Sequence, residues 1–451
     1  MERNKRIETV LEIKGKYCKD LKIFTDNIEE AALATLYRIA DYKAYDGSKI
    51  RIMADVHQGD GDSVVGFSCP IDLENGYVNP QTVGCDLGCT VSLWTYNKPI
   101  AENKIAEFEH KIRKEIPFGF GINGRTKIDV KYLIKQFNKA VSNLCSSNPI
   151  LSEYAISFTK EKDLEDWCKR LNMNYGVFLK SIGSVGGGNH FIEYDINEEL
   201  GKYGVCVHCG SRNLGLKVFN YWDSIAKSLC ITKDEMKVLT DAAKGKNNDK
   251  KKLQTVKENY LKDRIPNFLN GEYLYRYLID VCLAQTYTRL NHEVIHSQIA
   301  DIYRKLSDGG KCIEEIYTTH NYIDMSDMVL RKGAVRAYEG ELLIIPFNMR
   351  DGISICEGKS NEDFNCTAPH GCGRLMSRSK AKEALNVDDF KKQMSDANIY
   401  TTTADKTTLD EAPNAYKSMD EIVKLIEPTV DIKYFMKPRI NIKASNAKNE
   451  G

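Results

Sequence analysis

No stretch of this chain comes near the ~18 consecutive apolar residues of a membrane span, and the opening Met1-Glu-Arg-Asn-Lys-Arg-Ile7 lacks the apolar run of a secretory signal. Excess charge of one sign is also missing. Lys and Arg number 64 against 63 Asp and Glu, a net +1 over 451 residues. That balance excludes a protein that works through a global basic or acidic field, so any contact with a polyanion has to be local. The 14 cysteines follow no regular short spacing. This argues against a disulfide framework and for a reducing, cytoplasmic setting, with thiols as buried apolar residues or metal ligands. Internal repeats are absent, as is any linker long enough to divide the chain. What remains is 42% hydrophobic and 28% charged, an ordinary globular composition. Its length suits one large core or two to three average domains.

The chemistry-bearing residues fall in short glycine-flanked segments. Ile52 to Gly61 reads as an apolar strand running into Asp55, His57 and Asp60. In Val83-Gly-Cys-Asp-Leu-Gly-Cys-Thr-Val91, Asp86 and Cys89 lie three apart. A carboxylate and a thiolate so placed can meet one metal, or the thiolate can bridge two. Pro117 to Thr126 is a glycine-rich loop that reads as surface or as the flank of a ligand. Ser181 to Tyr194 carries four glycines ahead of Asn189-His190 and leads into a strand, so it is not a dinucleotide fingerprint. His208 closes a second apolar strand, followed by Gly210-Ser-Arg212, and His320 stands at a third apparent strand end. Each histidine alone would be an ordinary core residue. Together they complete a mixed oxygen, sulfur and nitrogen donor set with Asp86 and Cys89.

The stretch Ala368-Pro-His-Gly-Cys-Gly-Arg374 supplies a different group. Pro369 biases Ala368 towards an extended conformation, Gly371 and Gly373 let a phosphate approach the backbone, and Arg374 and, just beyond, Arg378 offer planar forks. His370 in such a turn is a candidate nucleophile towards phosphorus. Elsewhere, Asp26 to Glu29 predicts a capping box opening a helix to about Tyr42. A long helical pattern spans about Tyr273 to Leu306, with His292 and His296 as packing or surface residues. Arg331, Lys332 and Arg336 form a short basic cluster, and residues 232–265 read as an exposed charged insertion.

These motifs, in this order, resemble the RtcB-type RNA-splicing ligases. The matching segments are Asp55-Val-His-x-Gly-x-Gly61, Val83-Gly-x-Asp-x-Gly-Cys89, Gly183-Ser-x-Gly-x-Gly-Asn-His-Phe-x-Glu193 and His208-x-Gly-Ser-Arg-x-Leu-Gly215. They continue with His320-Asn321, Arg331-Lys-Gly-Ala-x-Arg336, Ala368 to Arg374, Glu411-Ala-Pro-x-Ala-Tyr-Lys417 and Lys443. The resemblance implies a single large mixed α/β catalytic domain over 1–451, with central sheets flanked by helices. It implies a GTP- and Mn²⁺-dependent ligase joining RNA 3′-phosphate or 2′,3′-cyclic phosphate ends to 5′-hydroxyl ends, with an archease-like activator a candidate partner and a monomer the expected state. Asp86, Cys89, His190, His208 and His320 would hold two Mn²⁺ ions, and His370 would carry GMP. Asn189, Glu193, Asn321, Pro346, Asn348, Met349, Ser354, Gly371, Gly373, Tyr416 and Lys443 would surround the nucleotide. Arg212, Arg374, Asp55 and His57 would face RNA or phosphate.

The chain departs from the family where Pro346-Phe-Asn-Met-Arg350 replaces a Pro-Gly-Ser-Met-Gly turn, where Thr90 follows Cys89, and where Cys372 follows Gly371. These changes fit a diverged RNA-repair branch. A cyclic phosphodiesterase or guanylylating repair factor on the same scaffold, and a non-catalytic RNA-binding protein, are the competing readings. Retention of all five ligands with His370 and Glu193 argues against the last.

Overall fold

A computed structural model describes residues 10–120, 124, 128–230, 235, 237, 238, 240, 241 and 267–445. Most of the charged insertion expected at 232–265 lies outside the described residues. The strands are β1 (Leu11–Ile13), β2 (Asp20–Ile23), β3 (Lys49–Gln58), β4 (Val64–Pro70), β5 (Thr90–Tyr96), β6 (Phe191–Asn197), β7 (Lys202–Cys209) and β8 (Cys312–Thr319). They continue with β9 (Tyr322–Ile323), β10 (Val329–Lys332), β11 (Ala334–Arg336), β12 (Leu342–Pro346), β13 (Ile353–Gly358), β14 (Thr367–Pro369) and β15 (Val430–Lys443).

Two sheets carry the domain. One runs β1-β2-β3-β4-β10-β9, the other β12-β13-β15-β6-β7-β5-β8, and β11 pairs with β14. The apolar run of each strand buries it, and the helices cover the sheets. The helix Gly271–Leu306 packs on the helices Val130–Ser147, Ile105–Glu115 and Asn213–Cys230. The mixed α/β architecture is the one expected.

Several local readings change in three dimensions. The first helix is Glu30–Ala40, and no side chain caps it. The expected capping box is absent because the Glu29 carboxylate instead accepts from the Gln58 backbone N–H. His292 and His296 are buried packing residues, with the Ser92 hydroxyl 2.6 Å from His292 Nδ1 and 2.7 Å from His296 Nε2. Arg331 is buried against Asp324 and Asp327, and Arg336 pairs with Asp324 and Glu341, so these two arginines are structural ion pairs rather than a basic surface. The 13 cysteines seen among the described residues are all unpaired, and no helix of those residues is long and apolar enough to cross a membrane.

The sheets bring the chemical segments to one place by register. Cys89 immediately precedes β5, His190 precedes β6, His208 is the penultimate residue of β7, His320 follows β8, and His370 follows β14. Strands β6, β7, β5 and β8 are consecutive neighbours, with Phe191 opposite His208, Val91 opposite His208 and Thr90 opposite Thr319. Four ligands are therefore delivered to one edge of one sheet. In the other sheet, β3 bulges against β4 between Ile52 and His57. A bulge turns side chains out of the regular alternation, and here it places Asp55 beneath His370.

A far cluster anchors the helical layer. Asp280, 1% exposed, accepts from Trp167 Nε1 at 2.9 Å, Trp222 Nε1 at 2.7 Å and Arg170 at 2.6 Å. Removing the carboxylate leaves two buried indole donors and a guanidinium without their acceptor. Asp280→Ala should cost about 3–5 kcal/mol, read as a large drop in melting temperature. Arg170→Ala should cost clearly less, because both indole bonds survive; equal losses would show that the indole bonds contribute nothing.

Candidate functional site

Two overlapping triads stand at the common strand edge. Cys89, His208 and His320 form one and Asp86, Cys89 and His190 the other, with the ligand atoms of each within 4.8 Å of one another. Cys89 Sγ lies 3.3 Å from His190 Nε2 and 3.1 Å from His208 Nε2. His208 Nε2 faces His320 Nε2 at 3.1 Å, and His190 Nε2 meets Asp86 Oδ2 at 2.9 Å. Gly88, at φ +68°, makes the turn that aims Asp86 and Cys89 at the same point.

Burial raises the Cys89 thiol well above its ordinary range, and the Asp86 charge raises it further. Burial likewise holds His208 and His320 well below theirs. Burial opposes ionisation of Asp86, but the His190 imidazole prevails and keeps the carboxyl low. The result is a largely buried knot of lone pairs with few protons to share, which a divalent cation would resolve by accepting the lone pairs and favouring the ionised thiol. The donor chemistry of these residues fits metal binding, with Cys89 common to both triads.

His370 stands next to this knot, its ring centroid 4.9 Å from that of His320. Asp55 Oδ2 accepts from His370 Nδ1 at 2.6 Å and from the His370 backbone N–H at 3.1 Å. Asp55 is fully buried, so its carboxylate orients the imidazole instead of meeting solvent or RNA. With Nδ1 committed as the donor, the neutral ring carries its lone pair on Nε2. Gly373, at φ +71°, is required here: a Cβ on it would stand 2.3 Å from the Asp55 carbonyl oxygen. His57 Nδ1 lies 2.9 Å from that same carbonyl oxygen, and burial lowers its pKa to about 4, so it is neutral.

One cleft opens beside His370, and its lining includes Asn189, Glu193, Pro346, Asn348, Met349, Gly371, Gly373, Arg374, Tyr416 and Lys443, together with His57, His208 and His320. Glu193 is 2% exposed, and burial lifts its carboxyl to about 7. Glu193 Oε1 and the Oδ1 of Asn441, opposite it on β15, are buried with no protein partner. Such atoms ask for donors from a ligand. Asp195, two residues on, is fully buried with both oxygens unpartnered, and burial together with the Glu193 charge keeps it protonated.

The opposite wall is organised by Glu411. It accepts from Lys443 Nζ at 3.1 Å, Tyr416 Oη at 2.7 Å and Arg374 Nη1 at 3.3 Å, and it also pairs with Arg378. Burial opposes its ionisation, but these cations hold its carboxyl far below the usual range.

Other candidates fall elsewhere. Ser354 is buried, donating to the Ile345 carbonyl at 3.3 Å, and Asn321 Oδ1 accepts the Gly333 N–H at 2.8 Å; neither lines the cleft. Arg212 donates to Ser184 Oγ at 3.1 Å and to the Gly119 carbonyl at 2.7 Å, behind the glycine run that carries His190. Arg374 turns its fork to Glu411, Tyr416 and the Asp410 carbonyl. In the altered turn, Phe347 and Met349 are buried, while Asn348 Oδ1 accepts from the N–H groups of Arg350 and Asp351 at 3.0 and 3.1 Å. Glu411 and Asn441 were not singled out as site residues by sequence, and Arg378, read as a fork near His370, pairs instead with Asp410 and Glu411. Asn441 had a signal, standing two residues before Lys443 and so on the same face of a strand.

Over residues 37–444 the sequence matches the family described as tRNA-splicing ligase RtcB. The RNA-splicing ligase RtcB of Escherichia coli K12 is 28% identical over 415 residues, covering 87% of this chain and 90% of that protein. The tRNA-splicing ligase RtcB of Aeropyrum pernix is 25% identical over 422 residues, covering 83% of each. The RNA-splicing ligase RtcB homolog 2 of Entamoeba dispar is 24% identical over 436 residues, covering 87% of this chain and 80% of that protein. A match running from the first helix to the end of β15, through every segment that lines the cleft, makes this chain a member of the RtcB family of RNA-splicing ligases.

Proposed function

We propose that the chain is a GTP- and Mn²⁺-dependent RNA ligase working through a histidine-GMP intermediate. The observation that carries this reading is an imidazole locked by a buried carboxylate, standing against two donor triads that share the Cys89 sulfur. His370 Nε2 attacks the α-phosphorus of GTP; the P–N bond forms as the P–O bond to pyrophosphate breaks. An RNA 3′-phosphate oxygen then takes GMP from His370, and a 2′,3′-cyclic end is first opened by water. The RNA 5′-hydroxyl oxygen attacks the 3′-phosphorus, loses its proton and expels GMP. The mixed carboxylate, thiolate and imidazole set of Asp86, Cys89, His190, His208 and His320 suits first-row divalent ions such as Mn²⁺. When bound, these supply neutralisation of phosphoryl and pyrophosphate charge.

The chain's own residues do the rest. Asp55 fixes the tautomer of His370 and stabilises the cationic phosphoramidate. Glu193 accepts from the N1 and N2 donors of guanine, Lys443 and Asn441 stand beside it, and Tyr416 offers a face for stacking. Glu411 ties Lys443, Tyr416 and Arg374 into one rigid wall.

With α-labelled GTP and Mn²⁺, the protein should form an acid-labile adduct that His370→Ala abolishes. Asp55→Ala should slow adduct formation by about 10²–10⁴-fold. An adduct persisting in His370→Ala would end the reading.

Calorimetric titration should find two Mn²⁺ ions per chain. His320→Ala should lose one and Cys89→Ala should weaken both; a Cys89→Ala protein with two unaltered sites would rule out a shared thiolate.

Glu193 makes the pocket sensitive to pH. Its folded pKa of about 7 lies above the ordinary carboxylate value of 4.5, so between these values the fold holds a proton that the unfolded chain has lost. The ligand-free protein therefore loses stability as pH rises through that window, and Glu193→Gln should flatten the loss in melting temperature. Guanine needs the ionised form, so GTP affinity should fall as pH drops below about 7, and less steeply in Glu193→Gln than in the parent. Parallel slopes would remove Glu193 as the base-reading group.

A further inference from the structure

Phe120 is 84% exposed, more than any other large apolar side chain among the described residues. It does not dangle. Its loop is pinned to the segment that carries His190. Gly119 N–H donates to the Val185 carbonyl at 3.0 Å, Val185 N–H donates to the Pro117 carbonyl at 2.9 Å, and Arg212 holds the Gly119 carbonyl at 2.7 Å. The ring lies directly on Gly187, where a Cβ would stand 2.5 Å from Phe120 Cε2. One side of the ring is therefore set against bare backbone while most of the ring is open to water.

The surroundings of this ring are specific. Gly187 is three residues before the metal-ligand position His190. Arg212 Nη1 lies 2.7 Å from the place of a Cβ on Gly186, and the Arg378 guanidinium lies 3.7 Å from that of Gly188, each also held by protein partners, Arg212 by Ser184 and Gly119 and Arg378 by Asp410 and Glu411. An open aromatic face fixed on the glycine run that leads to His190 matches a single-stranded nucleic acid, whose bases stack on aromatic rings. A glycine run beneath the ring allows this close packing and leaves space above the backbone for the strand.

We infer that Phe120 is a stacking platform for an unpaired nucleobase at the RNA end brought to the metal centre. This rests on the ligase reading above and adds a substrate-positioning residue to it. Phe120 lies outside the lining of the nucleotide cleft, so it acts on RNA and not on GTP.

The test uses the full chain with Mn²⁺ and no GTP. Two oligoribonucleotides are titrated separately, one ending in a 3′-phosphate and one beginning with a 5′-hydroxyl, each with 2-aminopurine at the terminal position. Binding to the parent should quench the fluorescence of one of them, which identifies the end that stacks. Phe120→Ala should weaken that oligonucleotide by about 5- to 100-fold, the range for loss of one base–aromatic stack, while Phe120→Trp retains affinity and quenching. Replacing the terminal base by an abasic residue should erase the difference between parent and Phe120→Ala. Equal affinity of parent and Phe120→Ala for both oligonucleotides would overturn the inference and leave the ring to a protein partner; so would an equal loss with the abasic end. The His370 adduct with labelled GTP should form at the parent rate in Phe120→Ala, confirming its fold. Absence of that adduct in the parent would count against the ligase reading alone, since the stacking measurement does not pass through it.

Discussion

The buried sulfur of Cys89 is the point on which the site depends. It is the one atom common to both triads, and around it four buried donors and the half-buried Asp86 carboxylate face inward. Such a cluster is costly for an empty fold: a carboxylate, a thiol and three imidazoles are stripped of solvent and left with too few protons to satisfy each other. The cost becomes an advantage when cations enter, because each donor is already oriented and little reorganisation follows. The strand register enforces this, since antiparallel neighbours bring the residues before β5 and β6 and those ending β7 and following β8 to one edge.

The second constraint is the separation of duties between the two sheets. The seven-stranded sheet delivers Cys89, His190, His208 and His320 and the cleft residues Glu193, Asn441 and Lys443, while the six-stranded sheet, through its bulge at Asp55, holds the carboxylate against His370. His370 lies between them on the chain that follows β14. Its chemistry is set by contacts to residues more than three hundred positions away in sequence, so shifts of either sheet are felt as misalignment of the nucleophile. The acidic groups divide in a similar way. Glu411 is fixed as an anion by its cations, whereas burial raises Glu193 to about 7 and keeps Asp195 protonated behind it. Glu411 builds one wall and Glu193 lines the cleft, while Asp195 stays outside the lining.

Much of the metal cluster was legible because it sits on local signals: an apolar strand, a glycine and a ligand at the strand's end. His208 and Cys89 carry that signature, His320 carries only the strand end, and the family motifs supplied their partners. The network of Glu411 was not legible, because nothing near residue 411 says that Arg374, Arg378 and Lys443 will arrive there. The basic appearance of Arg331 and Arg336 misled for the same reason: their acidic partners Asp324, Asp327 and Glu341 neutralise them, and charge counted along a segment says little about charge at a surface. The capping box at Asp26 failed because Glu29 found a stronger tertiary partner in the Gln58 N–H. Local rules held where the partner was local and broke where the fold offered another.

The position of β15 sets an order of events. It is the last strand among the described residues, yet it lies inside its sheet, between β13 and β6, and it carries Asn441 and Lys443. Until residues 430–443 leave the ribosome, β13 and β6 each present an unpaired edge, and long-range pairing of this kind is slow to form. A chain that stops short of residue 430 lacks Asn441 and Lys443 of the cleft and displays two open strand edges to its neighbours. The same strand that seals the sheet thus completes the cleft.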